Sequence, residues 1–413
     1  MSTPKAPHLF FSILVITLIV MTFPRVALSQ SSSSVQEIQS QVSHQFGTEI
    51  SFEVTYQTTK AVQSIDIFLR PQTVHETLTE RMTLVDNQTA SYEYLVASNY
   101  RIPAFTKIDY WFYFTFSDGE TFESEHFSYF YDHNFSAVNG TALDWQTLTN
   151  GSYSAHWYDG EPEFPQKVLD AAQNGQEEIS KYLNLVPTTS IDIYIYTNSA
   201  ALREALQNTA PEWVGAHASP SRNVALVNII PGAEETTQIE RQVPHEITHI
   251  LLYQRLGESY DNLPQWLHEG IASVAELYPN PNYRKYLDEA KATETLIPIS
   301  ELCATFPSET EQVLLAYAQS ESFVRFLYTE YGSAGLEDLV TAYENGTTCE
   351  NGVQTAFNQT LSQLERQWQI QTFDVLTAPD IELSEIFVTW IGLFCLISLV
   401  PLIILIRLMR PRN

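Results

Sequence analysis

Between Phe46 and Tyr131 apolar and polar residues alternate in short runs: Ile50-Ser-Phe-Glu-Val-Thr-Tyr56, Ile65-Asp-Ile-Phe-Leu69 and Ile108-Asp-Tyr-Trp-Phe-Tyr-Phe-Thr-Phe116. A period of two sends successive side chains to opposite faces, and β-branched and aromatic residues fill the repeats, so these runs predict strands. With a turn signal at Ser117-Asp-Gly119 they predict an all-β sandwich over residues 46–132. Residues 30–45 begin as a Ser/Gln-rich stretch with little to bury and predict a flexible leader. Asp132 to Gly151, rich in Asn, Ser, Thr and Gly, reads as a connection between domains.

Past that connection the period changes. Phe164 to Leu183 has the spacing of an amphipathic helix, Ile191–Tyr196 and Asn223–Ile230 are continuous enough for buried strands, and Gln238 to about Phe373 is dominated by helical spacing. Strands followed by helices predict an α+β domain over residues 143–375. His126 and His133, at an odd separation, would face opposite sides of a continuous strand, and each is expected to be solvated.

The two chain ends carry the longest apolar runs. Leu9–Phe23, preceded by Lys5 and followed by the small residues Ala27 and Ser29, predicts a signal peptide over residues 1–29. Ile386–Ile406 has 21 residues without a charge, which is enough to cross a bilayer as a helix. Arg407, Arg410 and Arg412 follow it, so residues 407–413 are expected to form a cytoplasmic tail, with everything before the span outside a cell membrane.

Charge sharpens this picture. The two terminal segments hold five of the 21 Lys and Arg and none of the 49 Asp and Glu, so the remainder carries a net charge near −33. Such a surface repels nucleic acid and anionic lipid and attracts cationic molecules at low salt. Cys395 falls in the apolar span, leaving Cys303 and Cys349 as an expected disulfide in an oxidising compartment. Asn-x-Ser/Thr triplets at Asn87, Asn134, Asn139, Asn150, Asn345 and Asn358 are candidate glycan sites.

Val243-Pro-His245-Glu246-Ile-Thr-His249 contains the pattern HExxH. Histidines four apart lie on one face of a helix, so both imidazoles can reach one zinc ion while the intervening glutamate faces the same site as a general base. Pro244 is at odds with a helix interior; either the helix begins there or it is kinked just before the ligands. Downstream stands Trp266-Leu-His268-Glu269-Gly-Ile-Ala272, with nineteen residues between His249 and Glu269.

These two motifs resemble the HExxH and WLxEGxA signatures of the gluzincin zinc peptidases and their peptidase MA-like domains. The resemblance extends more loosely through Ala316–Ser320, Phe323–Gly332 and Leu361–Trp368. It implies a thermolysin-like zinc peptidase domain of mixed sheet and helix between the sandwich and the membrane helix. It implies zinc on His245, His249 and Glu269, Glu246 as general base and a peptide or protein substrate. His268 stands beside Glu269 as a competing third ligand, and Ser273 and Glu276 are candidates to support the ligands. Such peptidases also carry an oxyanion-stabilising group on a later helix, for which Tyr317 is the candidate. The strand from Val224 to Ile229 is expected to be the edge that pairs with substrate. The Gly-x-Met-Glu-Asn motif by which aminopeptidases hold a free amine is missing, since Gly215-Ala-His-Ala-Ser219 does not supply it. Two other readings remain: a surface binding protein with a structural zinc site, and a zinc hydrolase acting on a non-peptide bond.

Overall fold

The computed structural model describes residues 35–73, 76–96, 99–160, 163–207 and 215–373. The expected signal peptide and the 386–406 segment lie outside the described residues. Among those described, no helix is long and apolar enough to cross a membrane. The longer helices have the length but not the apolarity: the 22-residue helix Glu235–Leu256 alone carries Glu240, Arg241, Glu246 and Arg255. The expected fold class with a membrane helix, and the single-pass localisation, are therefore corrected to an α+β chain with a β-rich N-terminal region and a helical C-terminal domain.

The N-terminal region folds as two antiparallel sheets. In chain order its strands are β1 (Val35–Gln45), β2 (Glu49–Thr58), β3 (Val62–Pro71), β4 (Leu78–Arg81), β5 (Thr83–Leu84), β6 (Thr89–Leu95), β7 (Thr106–Phe116), β8 (Thr121–Glu123) and β9 (Phe127–Tyr131). One sheet runs β1-β2-β6-β5; the other runs β4-β3-β7-β8, with β9 also on β7. Ile50, Phe52, Val54 and Tyr56 of β2 meet Ile65, Ile67 and Leu69 of β3 and Ile108, Phe112, Phe114 and Phe116 of β7 in one core. Each such side chain stabilises the fold by about 1.5–3 kcal/mol relative to exposure. The expected leader is corrected over 35–45, which pairs with β2 along its whole length. A register shift between Val35 and Glu37 brings Val35 onto the face of Ile38 and Val42, and these three, hidden among polar residues, give that strand its inward face.

After a small hairpin, β10 (Phe135–Ser136) with β11 (Thr141–Ala142), a second sheet system forms. Its strands are β12 (Gln146–Asn150), β13 (Tyr153–Trp157), β14 (Ile191–Tyr196), β15 (Ala216–Ser219) and β16 (Val224–Asn228), in the order β12-β13-β14-β16-β15. The segment expected to be a plain connection thus supplies a hairpin and the first strand of the second sheet system. β13, β14 and β16 are parallel; β12 and β15 run antiparallel at the two edges. Helices α1 (Phe164–Ile179), α2 (Ser199–Ala205), α3 (Glu235–Leu256), α4 (Gln265–Val274), α5 (Tyr283–Ala292), α6 (Thr310–Glu344, broken at Gly332 with φ +68), α7 (Cys349–Phe357) and α8 (Leu361–Phe373) complete the domain. Cys303 and Cys349 are disulfide-bonded, tying the segment before α6 to α7.

This sheet is buried on both faces. Ile191, Ile193, Ile195, Ala225 and Val227 pack with α1 and α3, whereas Tyr194, Tyr196, Val224 and Leu226 join the core of the β-domain. His133, expected in solvent, is instead fully buried, with Nδ1 2.9 Å from the Tyr196 hydroxyl. His126 is exposed.

Candidate metal centre

The HExxH segment lies in the interior of α3, which begins at Glu235, nine residues before Pro244. Pro244 has no N–H for the carbonyl of Glu240, so that carbonyl would be orphaned inside the helix. It is taken by the N–H of Leu277 at 2.9 Å, beside Glu276 at the end of the next helix. The proline thus ties α3 to the segment after α4. Its ring also fills the space over Gly175 of α1, where a Cβ would come within 2.5 Å of it.

On α3, His245 and His249 face Glu269 of α4. Ligand atoms of the three residues lie within 4.8 Å of one another, the one such metal-capable cluster of His, Cys, Asp and Glu found among the described residues. Glu269 Oε2 is 3.2 Å from His245 Nε2 and 3.6 Å from His249 Nε2. The other ring nitrogens are engaged from behind: His245 Nδ1 is 3.1 Å from Glu276 Oε1, and His249 Nδ1 is 3.2 Å from the Tyr260 hydroxyl. Gln265, one turn before Glu269, donates to Glu269 Oε1 at 2.8 Å, and its own N–H is held by the Cys303 carbonyl. Partners on the outer nitrogens fix the ring planes and aim both Nε2 atoms inward, as a metal ligand set requires. Two imidazoles and one carboxylate leaving a fourth side open fit a catalytic zinc.

The electrostatics agree with that chemistry. Burial alone would raise the Glu269 carboxyl, but His249 and His245 hold it well below the usual carboxylate range. Burial likewise works against a charged His245, yet its hydrogen bonds to Glu269 and Glu276 lift it well above the usual imidazole range. A divalent cation competing for that lone pair displaces a proton, so metal binding should tighten as pH rises. Burial raises the Glu246 carboxyl, partly offset by His245 and His249 and, more weakly, by the neighbouring Ala218 backbone of β15.

Tyr317 of α6 closes the far side, its ring centroid 6.1 Å from that of His245, and its hydroxyl lies near Glu269. Burial and the nearby Glu269 and Glu246 push its hydroxyl far up, so it stays protonated and can donate. His268 is turned away against the Tyr260 ring, 4.3 Å between centroids, and is not in the ligand cluster. Glu276 supports His245; Ser273 is buried one turn after Glu269.

A cleft of about 640 Å³ opens over these groups, lined also by Gly215, Ala216, His217, Ala218, Arg241, Gln242 and Tyr283. The strand at its wall is β15, not the expected Val224–Ile229: β16 is interior because the hairpin folds β15 onto it. Sequence reasoning missed Tyr260 and Arg241, whose spacing carries no signal by itself. Gln265, four residues before Glu269 on one helix face, was open to the same reasoning that found the histidines.

Residues 171–374 match the family model of the Peptidase MA superfamily, a span that includes every residue of the cluster. No curated protein matches the chain. Solved structures similar to parts of it include a family 56 carbohydrate-binding module, a β-1,3-glucan-binding domain, at 13% identity over 23% of this chain and 99% of that one, TM-score 0.17. Others are a cycloalternan-degrading enzyme from Trueperella pyogenes, at 18% identity over 20% and 10%, TM-score 0.16, and a polysaccharide deacetylase from Bacillus cereus, at 9% identity over 43% and 57%, TM-score 0.21. At these TM-scores the likenesses carry neither fold nor function to this chain.

Proposed function

With residues 171–374 a Peptidase MA superfamily domain, we propose that the protein is a zinc-dependent metallopeptidase of the gluzincin type, hydrolysing peptide bonds with Glu246 as general base. The observation that carries this reading is the three-ligand cluster on α3 and α4 with an acid immediately after the first ligand, all at the floor of one cleft. His245, His249 and Glu269 would hold the metal. Zinc bound there supplies Lewis acidity, polarising the scissile carbonyl and lowering the pKa of water to about 7.

The chain's own residues do the rest. Glu246 takes a proton from the attacking water and passes it to the leaving amine; the burial that raises its carboxyl favours a group that must hold the proton between those steps. Tyr317 keeps its proton and donates a hydrogen bond to the oxyanion. β15, an antiparallel edge strand along the cleft, offers backbone groups to an extended peptide. Ala218, not a glutamate, stands on that strand, so no carboxylate is provided there for a substrate's amino terminus, and aminopeptidase specificity has no support from this strand.

The reading is tested by metal content and by hydrolysis of a peptide library. The wild type should carry about one zinc per chain, and Glu269→Ala should lose it. Glu246→Gln should keep the metal and hydrolyse peptides about 10²–10⁴-fold more slowly. Equal hydrolysis by wild type and Glu246→Gln rejects the mechanism, and a wild type that takes up no zinc rejects the metal.

A further inference from the structure

A loop of the β-domain, residues 102–106, meets the turn between β15 and β16 beside the cleft. Ile102, Ala104 and Phe105 are buried, and Phe105 sits at φ +58, a left-handed conformation uncommon for an aromatic residue. Its ring stacks on Tyr194 of β14 with centroids 3.5 Å apart. Two carbonyls of the loop turn toward the catalytic domain. Ile102 O accepts from Gln207 Nε2 at 2.6 Å, and Ala104 O accepts from Arg222 Nη1, which also lies 3.3 Å from Thr106 Oγ1.

Arg222 is the hinge pin of this contact. It lies in the turn between β15 and β16, and its other amino group donates to Ser219 Oγ, the last residue of β15. All the partners of its guanidinium named above are carbonyl or hydroxyl oxygens of fixed backbone position or short side chains, so it acts as a spacer of defined length between the β-domain loop and β15. The strand needs such a spacer. β15 has four residues, pairs among the described residues with β16 alone, and rests on the domain core through the short side chains of Ala216 and Ala218, so its placement depends on the turn that follows it. Yet its Ala218 backbone lies beside the Glu246 carboxyl, and Ala216, His217, Ala218 and the adjoining Pro220 line the cleft with Glu246.

We propose that the N-terminal β-domain is a working part of the cleft: its 102–106 loop, acting through Arg222, sets the position of β15, and with it the seating of the substrate backbone and the aim of Glu246. Arg222 is a positioning residue in this account. The catalytic part of the proposal rests on the peptidase reading above; the positioning of β15 does not.

The test uses the full chain with Arg222→Ala, Arg222→Lys and Thr106→Val. In Arg222→Ala the amides of residues 216–219 should exchange hydrogen at least about tenfold faster than in the wild type. Bound zinc should be retained, while kcat/KM for a peptide substrate falls by about tenfold to a hundredfold. The loss should appear in kcat as well as in KM, because the base is displaced together with the substrate strand. Arg222→Lys, which keeps a donor on a long stem, should recover part of both losses. Thr106→Val removes one acceptor on the β-domain side, far from the metal, and should show a smaller change of the same kind; it decides the matter if Arg222→Ala does not fold. Unchanged exchange over 216–219 in a folded variant overturns the proposal, as does unchanged kcat/KM in a folded, zinc-loaded one. If the wild type hydrolyses no peptide, the peptidase reading has failed, and the exchange measurement alone then upholds or overturns the positioning of β15.

Discussion

Gly270 follows Glu269 directly on α4 and faces α6. A Cβ built there would lie 2.5 Å from Val324 Cγ2 and 2.6 Å from the Ser320 carbonyl oxygen. Packed carbon atoms rest about 3.5–4.0 Å apart, so Gly270→Ala must push the two helices apart by roughly 1 Å. Val324 is fully buried and β-branched, with no free rotamer to retreat into, and the carbonyl belongs to helix backbone. Overpacking of this kind costs about 1–3 kcal/mol, and contact with backbone places it at the upper end. Alanine returns about 1 kcal/mol of helix propensity over glycine, so the net loss is about 2 kcal/mol. For a domain of this size that lowers Tm by about 4–8 °C. The same displacement carries Glu269 away from the histidines, and zinc affinity should fall on the order of tenfold to a hundredfold. Calorimetry on the zinc-free protein reads the first effect, and competition with a chromophoric chelator reads the second. A Gly270→Ala protein that unfolds at the wild-type temperature and binds zinc with wild-type affinity would refute both the close α4–α6 approach and the placement of Glu269 as a ligand.

Other consequences follow from named contacts. Tyr317→Phe, which removes only the donor hydroxyl, should keep zinc and lower kcat by about 10²–10³-fold; a kcat within twofold of wild type in a steady-state assay removes Tyr317 from the mechanism. Burial depresses His133 to about 4, so the folded protein refuses a proton that the unfolded chain accepts near 6.5. Stability from this residue is full above that pH and declines as pH falls toward 4, by on the order of 3 kcal/mol. Urea unfolding from pH 7.5 to 4.5 should therefore show a shallower acid decline in His133→Gln than in wild type, and equal declines would contradict the burial. The disulfide spans a sequence separation of 46 and should contribute about 3–4 kcal/mol. Because the Cys303 carbonyl holds Gln265, and Gln265 holds Glu269, Cys303→Ser with Cys349→Ser should also weaken zinc binding; a lower Tm with unaltered zinc affinity would break that link.

Much of the site was legible in the chain because its chemistry is local. Two histidines four apart share a helix face whatever surrounds them, and the acid between them follows with the helix turn. The strands of β2, β3 and β7 were readable for a similar reason, since a period of two marks a buried face. Strand β1 was not, because its three apolar positions are diluted by Gln, Ser and Glu until the partner strand supplies the face they bury against.

What only the tertiary structure decided concerns partners distant in sequence. Leu277 takes the carbonyl that Pro244 orphans, which lets a proline stand in mid-helix. Tyr260 and Glu276 engage the outer nitrogens of the two histidines, and the hairpin that makes β15 the edge leaves β16 inside. Tyr194 and Tyr196 give the catalytic sheet a second buried face, so the β-domain that pattern alone would set apart shares a core with it. Each of these depends on where a hydrogen-bonding group or an apolar face finds its complement. Periodicity records that a residue needs a partner, and the folded chain alone determines which one it meets.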